Sequence, residues 1–80
     1  MQNTNQKILF KLVSDILNID INNINNNSNA EQFDTWDSLG NVRLILGIEK
    51  EFNIKISFSE TIIIDNIGDL LTLIESKINK

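Results

Sequence analysis

Ser38 lies between Asp37 and Leu39-Gly40, where an asparagine-rich stretch gives way to a run of apolar residues at helical spacing. A hydroxyl in that place stands at a helix start. Unpaired backbone N–H groups and the positive end of the helix dipole there favour a negatively charged group. Two chemistries fit such a serine: an ordinary helix cap, or an attachment point for a phosphate-linked group.

The chain supplies little else that could react. It has no histidine and no cysteine, which removes the usual general base, the commonest metal ligand, thiol chemistry and disulfides. Asp34 and Asp37 are loop acids near a helix start, a place where acids usually cap or stay solvated, and no metal site is expected. There is no glycine-rich phosphate loop, so a stand-alone enzyme has the least support.

Composition narrows the partners. The formal net charge is −4, which repels nucleic-acid phosphates and suits partners with basic patches. Met1–Gln6 lacks the basic and apolar regions of a signal peptide. No apolar run approaches a membrane span. The expectation is a cytoplasmic monomer that neither binds nucleic acid nor inserts into membrane. Eighty residues fit a single domain, 1–80, with a modest core. Asn26-Asn27-Ser28 matches a glycosylation sequon and is read as chance.

Along the chain, Ile8, Leu9, Leu12, Val13, Ile16 and Leu17 form one helical face, which predicts a first helix over 4–17. Asn3 or Thr4 can cap its start, and Asn18 can take a left-handed conformation at its end. Residues 18–37 read as a long ordered loop, rich in asparagine and pinned by Ile19, Ile21, Ile24 and Phe33. A second helix runs from Ser38 to about Phe52, with Leu44, Ile45, Ile48 and Phe52 on one face. Leu39, Val42 and Leu46 widen its apolar surface. Ile54 and Ile56 come next as two buried anchors. Ser57-Phe58-Ser59-Glu60 is a capping box, predicting a short third helix that holds Ile62, Ile63 and Ile64. Asn66 can cap a last helix, whose stripe is Ile67, Leu70, Leu71, Ile74 and Ile78. The fold class expected is all-α: a small four-helix bundle of three main helices and a short third, with a long first loop.

Along nearly its whole length this pattern resembles the acyl carrier proteins. The resemblance rests on the first helix, the long loop, Asp37-Ser38-Leu39 at the start of the second helix, its acid-containing end at Glu49 and Glu51, and Ile54-x-Ile56 before the short and last helices. It implies that Ser38 carries a 4'-phosphopantetheine arm taken from coenzyme A by a phosphopantetheinyl transferase. It also implies that the chain is a non-catalytic carrier serving acyl-loading and acyl-transfer enzymes. Asp37 would belong to the attachment motif and could help hold a divalent ion during transfer of the arm, since Mg²⁺ prefers carboxylate and phosphate oxygens. Leu39, Val42, Arg43, Glu49 and Glu51 become candidates for partner contact, and Leu44, Leu46, Ile56 and Ile64 for lining an acyl pocket, each of these four also readable as plain core.

The chain departs from that family in one respect. An acid usually comes after Asp-Ser-Leu, and the second helix is usually strongly acidic. Here Gly40 takes that position, and Arg43 and Lys50 stand where acids are expected. Either Arg43 pairs with a nearby acid and changes nothing, or the carrier is dedicated to a specialised lipid, surface-sugar or secondary-metabolite pathway, because surface charges steer association and reject wrong partners. Two rivals remain. Trp36-Asp37-Ser38 is also similar to D-alanyl carriers, which keeps an aminoacyl or peptidyl carrier open. An unmodified helical interaction module would make Ser38 only a cap. Trp36 and Phe33 can shape contact with the arm, or simply anchor the loop end, the reading favoured.

Overall fold

The computed structural model describes residues 4–78. Four α-helices carry the architecture: α1 (Thr4–Leu17), α2 (Ser38–Phe52), α3 (Phe58–Ile62) and α4 (Ile67–Ile78). No strand occurs among the described residues, and the all-helical expectation holds. The proposed cap Asn3 lies outside the described residues.

The core forms where the apolar stripes of α1, α2 and α4 meet. Leu9, Val13 and Leu17 come from α1, Leu44 and Ile48 from α2, and Ile67, Leu70, Leu71 and Ile74 from α4, all buried. Ile78, expected at the end of the α4 stripe, is exposed. Close approach of α1 and α2 is helped by Gly47, where an added Cβ would meet the Ile16 side chain.

The long first loop is ordered, as expected, and two short 3₁₀ turns within it, Ile21–Asn23 and Ala30–Gln32, have no signal in the apolar pattern. Asn18 takes the left-handed conformation that ends α1, with φ 56°. The Ser14 hydroxyl donates to the Ile19 carbonyl at 2.6 Å, fixing the turn out of the helix. Ile19 and Ile24 are buried, whereas Ile21 lies exposed in the first 3₁₀ turn.

Part of the asparagine-rich stretch has a structural task. Its carbonyls cap α4: Ile67 N–H donates to Ser28 O at 2.9 Å and Gly68 N–H to Asn26 O at 2.8 Å. First-turn N–H groups have no partner inside their own helix, so the loop satisfies two of them. Asn66 satisfies another, accepting from Asp69 N–H at 2.8 Å. Ser28 itself is fully buried, and its hydroxyl accepts from Asn25 N–H at 2.9 Å.

Beyond α2, Asn53 turns left-handed at φ 55° and the chain extends through Ile54 and Ile56. Ile56 is buried and Ile54 half-buried. The capping box at Ser57 forms, with Glu60 accepting from Ser57 N–H at 2.8 Å. The helix it starts is shorter than expected, since α3 stops at Ile62, Ile63 is its C-cap and Ile64 lies in the turn beyond. One short turn of helix cannot direct three consecutive isoleucines inward. Ile62 and Ile63 therefore face solvent, and only Ile64 packs against the core.

None of α3's residues is buried, so its attachment relies on polar contacts. Lys77 Nζ of α4 lies 2.9 Å from Glu60 Oε2. This hydrogen bond, with that from Ser57 N–H, holds the Glu60 carboxyl down from 4.5 to about 2. Because the folded value lies below the unfolded one, the contribution is complete above pH 4.5 and is lost as pH falls through about 2. Glu60→Gln should therefore melt below wild type at pH 7. The gap should narrow between pH 4.5 and 2, measured by circular dichroism melts. Parallel melting curves across that range would remove the tether.

Candidate functional site

The start of α2 is held by side chains that leave Ser38 outside. Asp37 is the N-cap, its Oδ1 accepting from Gly40 N–H at 2.8 Å. Its backbone carbonyl accepts from Asn41 N–H at 2.8 Å. Trp36 is buried, and its indole N–H donates to Asn41 Oδ1 at 3.0 Å. That locks the loop end to the first turn of the helix. Trp36 is thus an anchor, as favoured from the sequence, and Phe33 is half-buried against the same core.

Gly40, which stands in place of the acid after Asp37-Ser38-Leu39, is closely packed. Gly40 is buried, and a Cβ there would run into the carbonyl oxygen of Thr35, with the Leu17 side chain 3.1 Å away. The loop passes so close that a side chain at this position would have to displace it. An alanine in the first turn would normally favour a helix. Here Gly40→Ala should lower the melting temperature, by roughly the 1–3 kcal/mol of an overpacked site. Unchanged or raised stability would mean that the loop simply gives way.

Ser38, beside this lock, is exposed. Its hydroxyl has no hydrogen-bond partner among the described residues, so the helix does not need it as a cap. From Ser38 a mainly apolar groove of about 400 Å³ runs between α2 and α3, walled by Val42, Leu46, Ile56 and Phe58, with Glu49 the one acid on its lining. Behind it lies a smaller cavity of about 190 Å³, reaching Trp36, Ile64 and Leu70. Asn41, Ile45 and Thr61 line both spaces and so form the partition between them. The arrangement has the parts that a phosphate-linked arm requires: a free hydroxyl, a helix N-terminus for the phosphate and an apolar track for the remainder of the arm and its cargo.

The candidates read from the sequence separate into distinct places. Leu46 and Ile56 line the groove and Ile64 lines the inner cavity. Leu44 lines neither; it is fully buried in the core, where its alternative reading had put it. Among the partner-contact candidates, Leu39, Val42 and Arg43 are exposed on α2. Arg43 makes no ion pair among the described residues, so the pairing considered for it is absent. Glu51 is exposed, whereas Glu49 is half-buried, its Oε2 accepting from Ile56 N–H at 2.8 Å. Glu49 therefore braces the segment leading to α3.

Asn41, Phe58 and Thr61 were not singled out from the sequence. Phe58 could have been, because it is a large aromatic at a helix start outside any apolar stripe. Among the described residues no cluster of three or more acidic side chains is placed to hold a metal ion. No helix there is long and apolar enough to cross a membrane.

Comparison with known proteins gives three concordant matches. The family model for the phosphopantetheine attachment site matches residues 7–74. An acyl carrier protein of Buchnera aphidicola subsp. Schizaphis graminum (strain Sg) is 36% identical over 80 residues, covering the whole of both chains. The solution NMR structure of holo acyl carrier protein from Geobacter metallireducens superposes with a TM-score of 0.86 at 26% identity, covering 96% of this chain and 88% of that one.

Proposed function

The chain belongs to the acyl carrier protein family, and on that footing we propose that Ser38 is the residue that carries the family's 4'-phosphopantetheine group. The observation that carries this reading is an exposed, unpartnered hydroxyl at a capped helix start, opening onto an apolar groove. When bound, the group supplies a terminal thiol that holds an acyl chain as a thioester. The chain's own residues position and shelter that cargo, and chemistry is left to the partner enzymes.

Each part of the site has a share in this. The α2 N-terminus favours the phosphate. Asp37 holds the helix end with one oxygen, leaving the other to meet a divalent ion during transfer. Val42, Leu46, Ile56 and Phe58 offer apolar surface to an acyl chain. An aminoacyl cargo would press an ammonium against those same walls, at a desolvation cost that Glu49, the one acid of the groove and already bonded to Ile56 N–H, offsets only in part, so the groove favours acyl over aminoacyl loading. Arg43 and Lys50, in place of the family's usual acids, favour a dedicated carrier in a specialised lipid, surface-sugar or secondary-metabolite pathway.

Intact-protein mass after incubation with coenzyme A and a broad-specificity phosphopantetheinyl transferase tests the attachment. Wild type should gain one arm, and Ser38→Ala should gain none while melting as wild type does. A gain on Ser38→Ala would move the attachment elsewhere. Failure of two different transferases on folded wild type would favour an unmodified interaction module.

A second variant isolates Asp37. Asparagine caps a helix about as well as aspartate but carries no charge. Asp37→Asn should therefore hold the melting temperature while slowing arm transfer. Equal transfer rates would reduce Asp37 to a cap.

A further inference from the structure

With 100° between successive residues, Leu39, Val42, Arg43, Leu46 and Lys50 share one arc of roughly 100° on α2. All five are exposed, the three apolar side chains by 60%, 53% and 59%. Neither cation makes an ion pair among the described residues. Of the two acids of the same helix, Glu49 borders the arc beside Val42 on the groove side and Glu51 lies off it. Glu49 is tied to Ile56 N–H. Glu51 stands one turn below Gly47, on the flank that packs against Ile16 of α1.

Across the groove the pattern continues. Phe58 and Ile62 of α3 are 80% and 65% exposed. Lys55 stands exposed just before them, and Glu60, the one acid of α3, is held by Lys77. Asp37 borders the face at the head of α2, its carboxylate engaged by Gly40 N–H. A chain of net charge −4 thus sets apolar side chains and three cations along the face that begins beside Ser38, with Asp37 and Glu49 at its edges and Glu60 paired.

We propose that this face docks an acyl-handling enzyme whose own surface is apolar and rimmed with carboxylates. The proposal rests on the carrier reading for the kind of partner, and on charge complementarity for its surface. Apolar patches of this kind mark interaction sites. Charges beside them steer the right partner and repel one of the wrong sign. Arg43, Lys50 and Lys55 would repel the basic docking surface that an acidic α2 attracts.

The test uses the full chain without its arm, isotope-labelled for NMR, and two amphipathic helical peptides with the same leucine face. One carries glutamates on its polar face and the other lysines. Salt is set near 0.1 M, where the Debye length of roughly 10 Å screens acids on the far side of the molecule. The glutamate peptide should shift the amides between Leu39 and Lys50. It should bind roughly three- to tenfold more tightly than the lysine peptide, the sum of two or three exposed ion pairs.

Arg43→Glu combined with Lys50→Glu should reverse that order. Lys7→Glu combined with Lys11→Glu makes the same change in net charge on α1 and should leave the order unchanged. Equal affinities, a tighter lysine peptide, binding of neither, or reversal by the α1 variant as well would overturn the proposal. Because the peptides are read on the unmodified chain, failure of Ser38 to accept an arm is a separate result.

Discussion

At position 40 the chain has no room for a side chain, and the geometry of the serine depends on that crowding. The loop end passes over the first turn of α2 so closely that the Thr35 carbonyl occupies the space of a Cβ. Trp36 is pressed into the core by the same approach, and its indole N–H reaches Asn41. Asp37 is left to accept from Gly40 N–H. Three contacts between Thr35 and Asn41 thus set the direction of the helix and hold its N-terminus open. Ser38 makes no such contact and stays in solvent. A rigid base under a free hydroxyl suits the attachment role proposed for Ser38, because any partner would meet it in one geometry.

The same constraint separates the two faces of α2. Once the first turn is pinned, Leu44 and Ile48 must enter the core. Leu39, Val42 and Leu46 are then left outside, although they are no less apolar. Apolar residues kept on a surface beside an exposed hydroxyl carry no packing benefit for the isolated chain. Their presence is understandable if other surfaces cover them. Glu49 shows how charge is managed on the same helix, since its carboxylate serves the Ile56 backbone and is withdrawn from the outer face.

The helical frame is legible in the sequence because three of its helices carry long, regular apolar stripes. The bounds of α1 and α2 agree with that reading, and the left-handed end at Asn18 accords with its residue type. What escapes is set by contacts between distant segments. Nothing local announces that the carbonyls of Asn26 and Ser28 cap α4, so the asparagine-rich stretch looks like composition alone. The early end of α3 escapes for a related reason. Its capping box is a local signal and forms as expected, but Ile62 and Ile63 find no core to enter. At the candidate site, Leu44 and Leu46 have the same chemistry and differ only in the face on which they fall. The structure alone separates core from groove there.

The short α3 is where the site has most freedom. It buries none of its own residues and is bordered by space on more than one side: the groove toward Ser38, the inner cavity behind Thr61 and a further cleft of about 390 Å³ toward α4. A wall with cavities around it has few dispersion contacts to lose when it shifts. Its position therefore depends on directional contacts, the Ser57 capping box and the Glu60–Lys77 bridge. Such contacts can hold a segment in place yet contribute little against a small displacement. Moving Thr61 would join the groove to the inner cavity, since that residue forms part of the partition between them. The two sides of the groove thus differ in kind: α2 is fixed by backbone crowding at Gly40, and α3 is held by polar ties over unfilled space.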